Sequence, residues 1–430
     1  MDNTLAKELI SFIDNSPSPF HVVDNIKRTL KDNGFISLDT RNRWEIQKNG
    51  RYFVTTNDSA IVAFDVGEGS VEEQGFKIIA AHTDSPTFRI KPTPEMRVKN
   101  YIKLNTESYG GPILHTWLDR PLSVAGRVVL KSNNIFKPVV KLVDLKDPIV
   151  IIPSLAIHMN RKVNEGIQIN KQKDTLPLLG IVKEDLEKNN RIVNLLSHEL
   201  ENDTKEIIDF DLFLYTVEKG TIMGMNREFI SSPKLDDLAM VHGGLKAIVH
   251  TKPKSGINVL VCFDNEEVGS ATRQGADSPM LYNILERILI SLGKDRADYF
   301  RALAHSYMIS ADMAHALHPN YEEKQDPTHH PLINGGPVIK ISANQKYTSD
   351  AITSSIYEQI CKEAGVPVQR FVNRSDEAGG STIGPIISTQ LGIQSVDIGS
   401  PMLSMHSIRE LGGVLDHEYI IRSFERFYCS

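Results

Sequence analysis

Cysteine is scarce in this chain: its 430 residues include only 3, Cys262, Cys361 and Cys429, widely spaced and with no Cys-x-x-Cys pair. That excludes a disulfide framework and a thiolate zinc site, so any metal here must be held by oxygen and imidazole. Long apolar runs are missing as well. None approaches the roughly 18 residues that a membrane-spanning helix needs, and the stretch Met1 to Phe20 carries acidic residues where a secretory signal would be basic. A cytoplasmic protein without a membrane partner is the expectation. Charge of one sign is not concentrated anywhere: the net charge is -6, with acids and bases interspersed, which leaves no electrostatic footprint for nucleic acid. Internal repeats and low-complexity tracts are absent too.

What the chain does have is enough length for a large core and more than one domain. Leu5, Leu9, Phe12 and Ile13 fall at helical spacing, Ser16-Pro17-Ser18-Pro19 breaks that pattern, and a second helix is predicted near 21–32. Strands are predicted near Ser59 to Asp65 and over Phe76 to Ala81. Between about Pro92 and Thr221 short strand-like runs take over, among them Val124 to Leu130, Pro138 to Leu145 and Phe210 to Thr216, with a helical pattern only near Glu184 to Leu200. After Ser231 buried strands and amphipathic helices alternate again, ending in a helix with Ile420, Ile421, Phe424, Phe427 and Tyr428 on one face. The expected organisation is a discontinuous α/β domain, residues 1–92 and 222–430, with helices on both faces of its sheet. An inserted β-rich domain, residues 93–221, interrupts it.

The chemistry concentrates at the ends of the predicted strands. Glu266 and Glu267 lie side by side just past the apolar run Ile257 to Phe263, where two carboxylates repel and lose hydration unless a cation holds at least one of them. One can ligate while its neighbour handles protons. His82 and Asp84 follow Phe76 to Ala81, and Asp84 can orient His82 by accepting its free ring N–H. Asp312 follows Tyr307 to Ala311, and His406 comes shortly after Ser395 to Gly399. In an open α/β sheet the carboxyl ends of strands converge on one crevice, so these segments can deliver a His/Asp/Glu cluster to one place. Asp236, in Ser232-Pro233-Lys234-Leu235-Asp236-Asp237, reads on its own as a first-turn or capping residue of the helix that follows. His315 and His318 could share a helical face, while His329-His330 reads as a solvent-exposed loop. The glycine-rich segment Arg374 to Gly384 lacks a phosphate-loop pattern and does not imply a nucleotide. The cluster predicts a metal-dependent hydrolase.

Taken together, Ala81-His82-Thr83-Asp84-Ser85-Pro86, Ser232-Pro233-Lys234-Leu235-Asp236, Asp264-Asn265-Glu266-Glu267-Val268-Gly269-Ser270, Asp312-Met313-Ala314-His315-Ala316 and Met405-His406-Ser407-Ile408-Arg409-Glu410 resemble the signature segments of the aspartyl aminopeptidase family, which also contains fungal vacuolar leucyl aminopeptidases. Tyr109-Gly110-Gly111, Thr116-Trp117-Leu118-Asp119-Arg120 and Ala156-Ile157-His158 extend the match into the predicted insertion.

The resemblance implies a dinuclear zinc exopeptidase, with Co2+ or Mn2+ as alternative metals, whose inserted domain serves assembly. It implies that Asp236 bridges two metals, that His82 and Asp312 complete one site and that Glu267 and His406 complete the other. Glu266 becomes the general base and Asp84 the partner of His82. This chain has Asp237 where the family usually has asparagine, so Asp237 is the neighbouring candidate for the bridging role. His158 is implied as an oxyanion donor reaching a neighbouring subunit, and His315, Lys340 and Tyr347 as substrate-pocket residues. A tetrahedral dodecamer acting on peptides with N-terminal Asp or Glu is the implied form. The competing readings are a carboxypeptidase or N-deacylase on the same scaffold, and a non-catalytic assembly or cargo protein.

Overall fold

The computed structural model describes residues 3–166, 168–181 and 191–430. Its centre is a nine-stranded sheet. The spatial order of strands is Ile36–Ser37, Arg51–Thr56, Ala60–Val66, Ile257–Phe263, Phe76–His82, Tyr307–Ala311, Gln394–Gly399, Val338–Ile341 and Gln369–Val372. Ile257–Phe263, Phe76–His82, Tyr307–Ala311 and Gln394–Gly399 run parallel, and Phe263 pairs with His82 at the end of the ladder.

Both faces of these strands are covered, which is why their sequences read as continuous apolar runs. Alternation along Ile257–Phe263 sends Leu260 and Cys262 to one face and Val259, Val261 and Phe263 to the other. The first face meets helices Thr4–Asp14, Pro19–Asp32, Leu235–His250, Ala351–Ala364 and Val414–Cys429 through Leu9, Ile26, Leu245, Tyr357 and Phe424. The second meets Met280–Ser291, Arg296–Ala304 and Gly384–Leu391 through Leu285, Tyr299 and Ile387. The fold is therefore α/β with helices on both faces. The break at Ser16 to Pro19 is where the second helix begins, with Ser18 extended and Pro19 in the first turn, where its missing N–H costs nothing.

A separate six-stranded sheet is ordered Val139–Asp144, Leu122–Leu130, Ile207–Thr216, Thr87–Val98, Tyr101–Tyr109 and Leu178–Ile181. It has its own core, including Phe88, Leu104, Trp117, Val124, Val128 and Leu212. Its first strand, Thr87–Val98, spans the expected junction at 92/93. Of the helix expected over Glu184 to Leu200, Arg191–Leu200 is helical and the rest lies outside the described residues.

A third sheet was not anticipated: Thr221–Met223, Phe229–Ser232, Glu410–Gly413, Pro401–Leu403 and Ala314–His315, at the carboxyl-end side of the large one. It places His315 in a strand, so the helical face expected for His315 and His318 does not form. His329 and His330 are half-buried, and His329 Nδ1 lies 2.7 Å from Asp326 Oδ1.

Candidate metal centre

Three parallel strands end within reach of one another, and the residues that follow them converge. His82 closes Phe76–His82, Glu266 and Glu267 follow Phe263 after a turn, and Asp312 follows Ala311 directly. Asp236 arrives from the start of Leu235–His250. There the backbone is not helical, with ψ of 106 at Asp236, and the Asp236–Asp237 peptide is cis. Asp236 is thus neither a cap nor a first-turn residue, and both aspartates point into the crevice. His406 sits at φ 67 in the turn between Pro401–Leu403 and Glu410–Gly413.

The distances divide the cluster into two overlapping halves. His82 Nε2 lies 3.5 Å from Asp236 Oδ1, 3.9 Å from Asp237 Oδ2 and 3.9 Å from Asp312 Oδ1. His406 Nε2 lies 3.2 Å from Asp236 Oδ2 and 3.4 Å from Glu267 Oε1. Asp236 belongs to both halves, one oxygen to each. Candidate ligand atoms of His82, Asp236, Asp237 and Asp312 lie within 4.8 Å of one another, as do those of Asp236, Glu267 and His406, and those of His82, Glu266 and Glu267.

Both imidazoles are held in the orientation a metal ligand needs. His82 Nδ1 lies 3.1 Å from the Asp84 main-chain carbonyl, and His406 Nδ1 lies 3.2 Å from the carbonyl of Gly111. A carbonyl can only accept, so each Nδ1 carries a hydrogen, and each Nε2, facing the carboxylates, can donate to them when protonated or ligate a cation in place of that proton. The Asp84 carboxylate stands beside His82 as well, with Oδ1 3.4 Å from its Nδ1. It accepts the backbone N–H of Glu266 at 3.1 Å, that of Glu267 at 3.1 Å and the hydroxyl of Tyr109 at 2.7 Å.

Burial opposes ionisation of Asp236, but hydrogen bonds from His406 and His82 outweigh it and hold the carboxyl well below its ordinary range. Asp237 is pushed well above that range by burial, with the charges of Asp312 and Asp236 adding to it against His82. Glu267 is raised by burial and then by Asp236, and burial pushes Glu266 up to about 7. Asp236 Oδ1, Asp237 Oδ1 and Glu267 Oε1 are buried without a hydrogen-bond partner. Crowded, desolvated carboxylates with orphaned oxygens facing the Nε2 atoms of two imidazoles fit a cation site, since a cation removes both penalties at once.

Two contributors carried no role in the sequence reading. Glu410 is buried and accepts the backbone N–H of Asp236 at 3.1 Å and of His406 at 2.7 Å, tying the shared carboxylate to the imidazole beside it. Its sequence signal is its place at the end of the segment Met405 to Glu410, four residues after His406. Tyr109 approaches from the six-stranded sheet.

The remaining expected residues are spread around the cluster. Lys340 is buried with its ammonium 3.4 Å from Asp312 Oδ2 and donating to the Met313 carbonyl at 3.1 Å. Tyr347 is buried beneath that ammonium, 5.3 Å from it to the ring centre. His315 opens onto a concavity shared with His318, Phe371, Asn373 and Arg374. His158 stands apart, exposed on the short turn Ile157–Met159, with no hydrogen bond or ion pair among the described residues.

Comparison with known proteins identifies the family. Residues 12–428 match the family model described as Aminopeptidase I zinc metalloprotease (M18). A probable M18 family aminopeptidase 2 of Clostridium acetobutylicum is 62% identical, over 98% of this chain and 98% of its own. Its counterpart in Ectopseudomonas mendocina is 41% identical, over 100% of this chain and 99% of its own. Among solved structures, the mApe1 dodecamer of S. cerevisiae superposes with a TM-score of 0.88 at 27% identity, covering 99% of this chain and 96% of that one. The chain belongs to the M18 family of zinc metalloproteases and is an aminopeptidase.

Proposed function

We propose that this aminopeptidase works with two divalent cations, taken as Zn2+ on the family's chemistry, and prefers peptides with N-terminal Asp or Glu. The observation that carries the two-cation reading is Asp236, whose two oxygens each face a different imidazole, His82 at 3.5 Å and His406 at 3.2 Å. One cation would be held by His82, Asp312 and Asp236, the other by His406, Glu267 and Asp236. Asp237 adds charge beside the first set. When bound, the pair supplies Lewis acidity toward the scissile carbonyl and lowers the pKa of water in the site.

The chain's own groups do the rest. The Glu266 carboxylate takes the proton from the attacking water and returns it to the leaving amine. Asp84 keeps Glu266 and Glu267 in place through their backbone N–H groups. The free amine of the substrate is placed by the carboxylates around it, and its first side chain by the concavity at His315. Lys340 and Tyr347 are buried behind Asp312, and we assign them to the substrate pocket through Lys340, which is set against Asp312.

Residues 93–221 are assigned to assembly. Around His158 the side chains of Leu155, Ile157 and Met159 are 56%, 50% and 71% exposed, an apolar surface that a second subunit would cover. A subunit docked there would receive His158 as an oxyanion donor. The likeness to a dodecameric relative supports a homo-oligomer, proposed as a tetrahedral dodecamer. The three cysteines are free thiols, in keeping with a reducing, cytoplasmic location.

The test is a panel of aminoacyl and N-blocked peptides, with metal content measured on the same sample. Turnover of free N-terminal Asp and Glu substrates, none of blocked ones, and two cations per subunit are expected. Faster release of apolar residues overturns the acidic preference, and cleavage of N-blocked substrates favours a carboxypeptidase or deacylase reading.

A further inference from the structure

The segment Tyr109-Gly110-Gly111 leaves the six-stranded sheet at the end of the strand Tyr101–Tyr109 and runs directly against the metal centre. Each of its residues makes a different contact there. The Tyr109 hydroxyl donates to Asp84 Oδ2 at 2.7 Å and accepts from Asn265 Nδ2 at 2.8 Å, while its ring is steadied edge-on by Phe213 at 5.7 Å between centroids. Gly110 has φ +70, and a Cβ there would lie 3.1 Å from Cβ of Glu267. The Gly111 carbonyl faces Nδ1 of His406, and two residues on Ile113 N–H donates to the His406 carbonyl at 2.9 Å.

We propose that Tyr109 to Ile113 is a strap by which the six-stranded unit positions the catalytic centre of its own chain. Tyr109 fixes the Asp84 carboxylate, and through it the backbones of Glu266 and Glu267. Gly111 and Ile113 fix the tautomer, rotation and main chain of His406. The strap thus grips one ligand from each side of the cation that Glu267 and His406 would share, and Gly110 is the point of closest approach. A side chain at Gly110 would demand both a left-handed backbone and space that Glu267 occupies. The six-stranded unit is therefore part of the centre in cis, separately from any assembly it supports. Displacing that unit would loosen His406 and, through Asp84, Glu267 and His82, before it touched Asp312. The proposal rests on the two-cation reading.

The test uses the full-length holoenzyme with Tyr109→Phe and Gly110→Ala. Tyr109→Phe keeps the ring on Phe213 and removes only the donor, so kcat should fall on the order of 10–100-fold, the usual effect of losing such an outer hydrogen bond, with KM changed little and the oligomer intact. Gly110→Ala should weaken one of the two bound metals by a similar factor in chelator competition and alter the visible spectrum of the Co2+-substituted enzyme. A lowered Tm with metal affinity, Co2+ spectrum and kcat all within about twofold of wild type would show mere structural support and overturn the strap. Tyr109→Phe decides the matter if Gly110→Ala does not fold. A wild-type enzyme that binds fewer than two cations per subunit sinks the two-cation reading itself, an outcome read before either variant is made.

Discussion

Replacing Glu266 by glutamine separates proton handling from metal binding, because the two jobs fall on adjacent residues with different anchors. The backbone of Glu266 is held by Asp84 Oδ1 at 3.1 Å through its own N–H, a bond that the substitution does not touch. The amide keeps the shape of the carboxylate but cannot take a proton from water. Loss of a general base costs on the order of 10²–10⁴-fold in rate, or about 2.7–5.4 kcal/mol of barrier. Glu267, by contrast, has Oε1 buried without a partner and 3.4 Å from His406 Nε2, where a ligand oxygen belongs. The assay is kcat on an acidic aminoacyl peptide together with metal content per subunit. Glu266→Gln should lose nearly all turnover while keeping both cations. An oxygen of Glu266 also lies within 4.8 Å of candidate ligand atoms on His82 and Glu267, so the alternative is concrete. Parallel loss of metal and activity would make Glu266 a ligand, and less than about tenfold loss of rate would remove it as the base.

Glu267→Gln and His406→Ala should each lower metal occupancy, and two tightly held cations in both variants would reject those ligands. Glu410→Gln turns an amide N–H toward one of two backbone donors, so it should weaken the cation at His406 by roughly 10–100-fold in chelator competition; unchanged affinity refutes its role. His158→Ala should lower kcat about a hundredfold with metals and assembly unchanged, and mixing it with Glu266→Gln subunits should restore partial activity; a normal rate for His158→Ala removes the donor. The buried pair His242 and His417, bonded at 2.8 Å, is held neutral by burial, which brings His417 down to about 3 and His242 well below its ordinary value. Both are protonated in the unfolded chain below about pH 6.5, so stability is full above that pH and falls as pH drops, by up to about 2.7 kcal/mol per pH unit for the two. Denaturant titrations of the metal-free protein from pH 7 to 5 should show a shallower fall for His417→Gln, and equal slopes would contradict the pair's contribution.

The large sheet was legible because its strands are buried on both faces. Ile257 to Phe263 was delimited from sequence residue for residue, and Tyr307 to Ala311 likewise, since apolar runs bounded by polar turns leave little freedom in placing their ends. The same strands announced part of the centre: acidic and imidazole groups at their carboxyl ends had no reason to be there as surface. Asp236 was not legible that way. Its sequence context is that of a helix start, and only the non-helical backbone at Asp236 and Asp237 turns both side chains inward.

The contacts that finish the centre were hidden for a different reason. The sheet carrying Glu410 and His315 is built from strands as short as Ala314–His315, and a strand of that length has no periodicity to read. Glu410 looks like any surface glutamate until Ser232 pairs with it across that sheet and brings the N–H of Asp236 within 3.1 Å. Tyr109 enters the sequence reading only within the matching segment Tyr109-Gly110-Gly111, without a role, because its partner Asp84 lies far away in the chain. In each case the meaning of the residue depends on which backbone N–H or carboxylate the fold delivers to it. Sequence can show that a charge is costly to bury at Glu266 and Glu267; only the fold shows that Asp84 and Glu410, buried more deeply still, hold the backbones of Glu266, Glu267, Asp236 and His406 in register through N–H bonds.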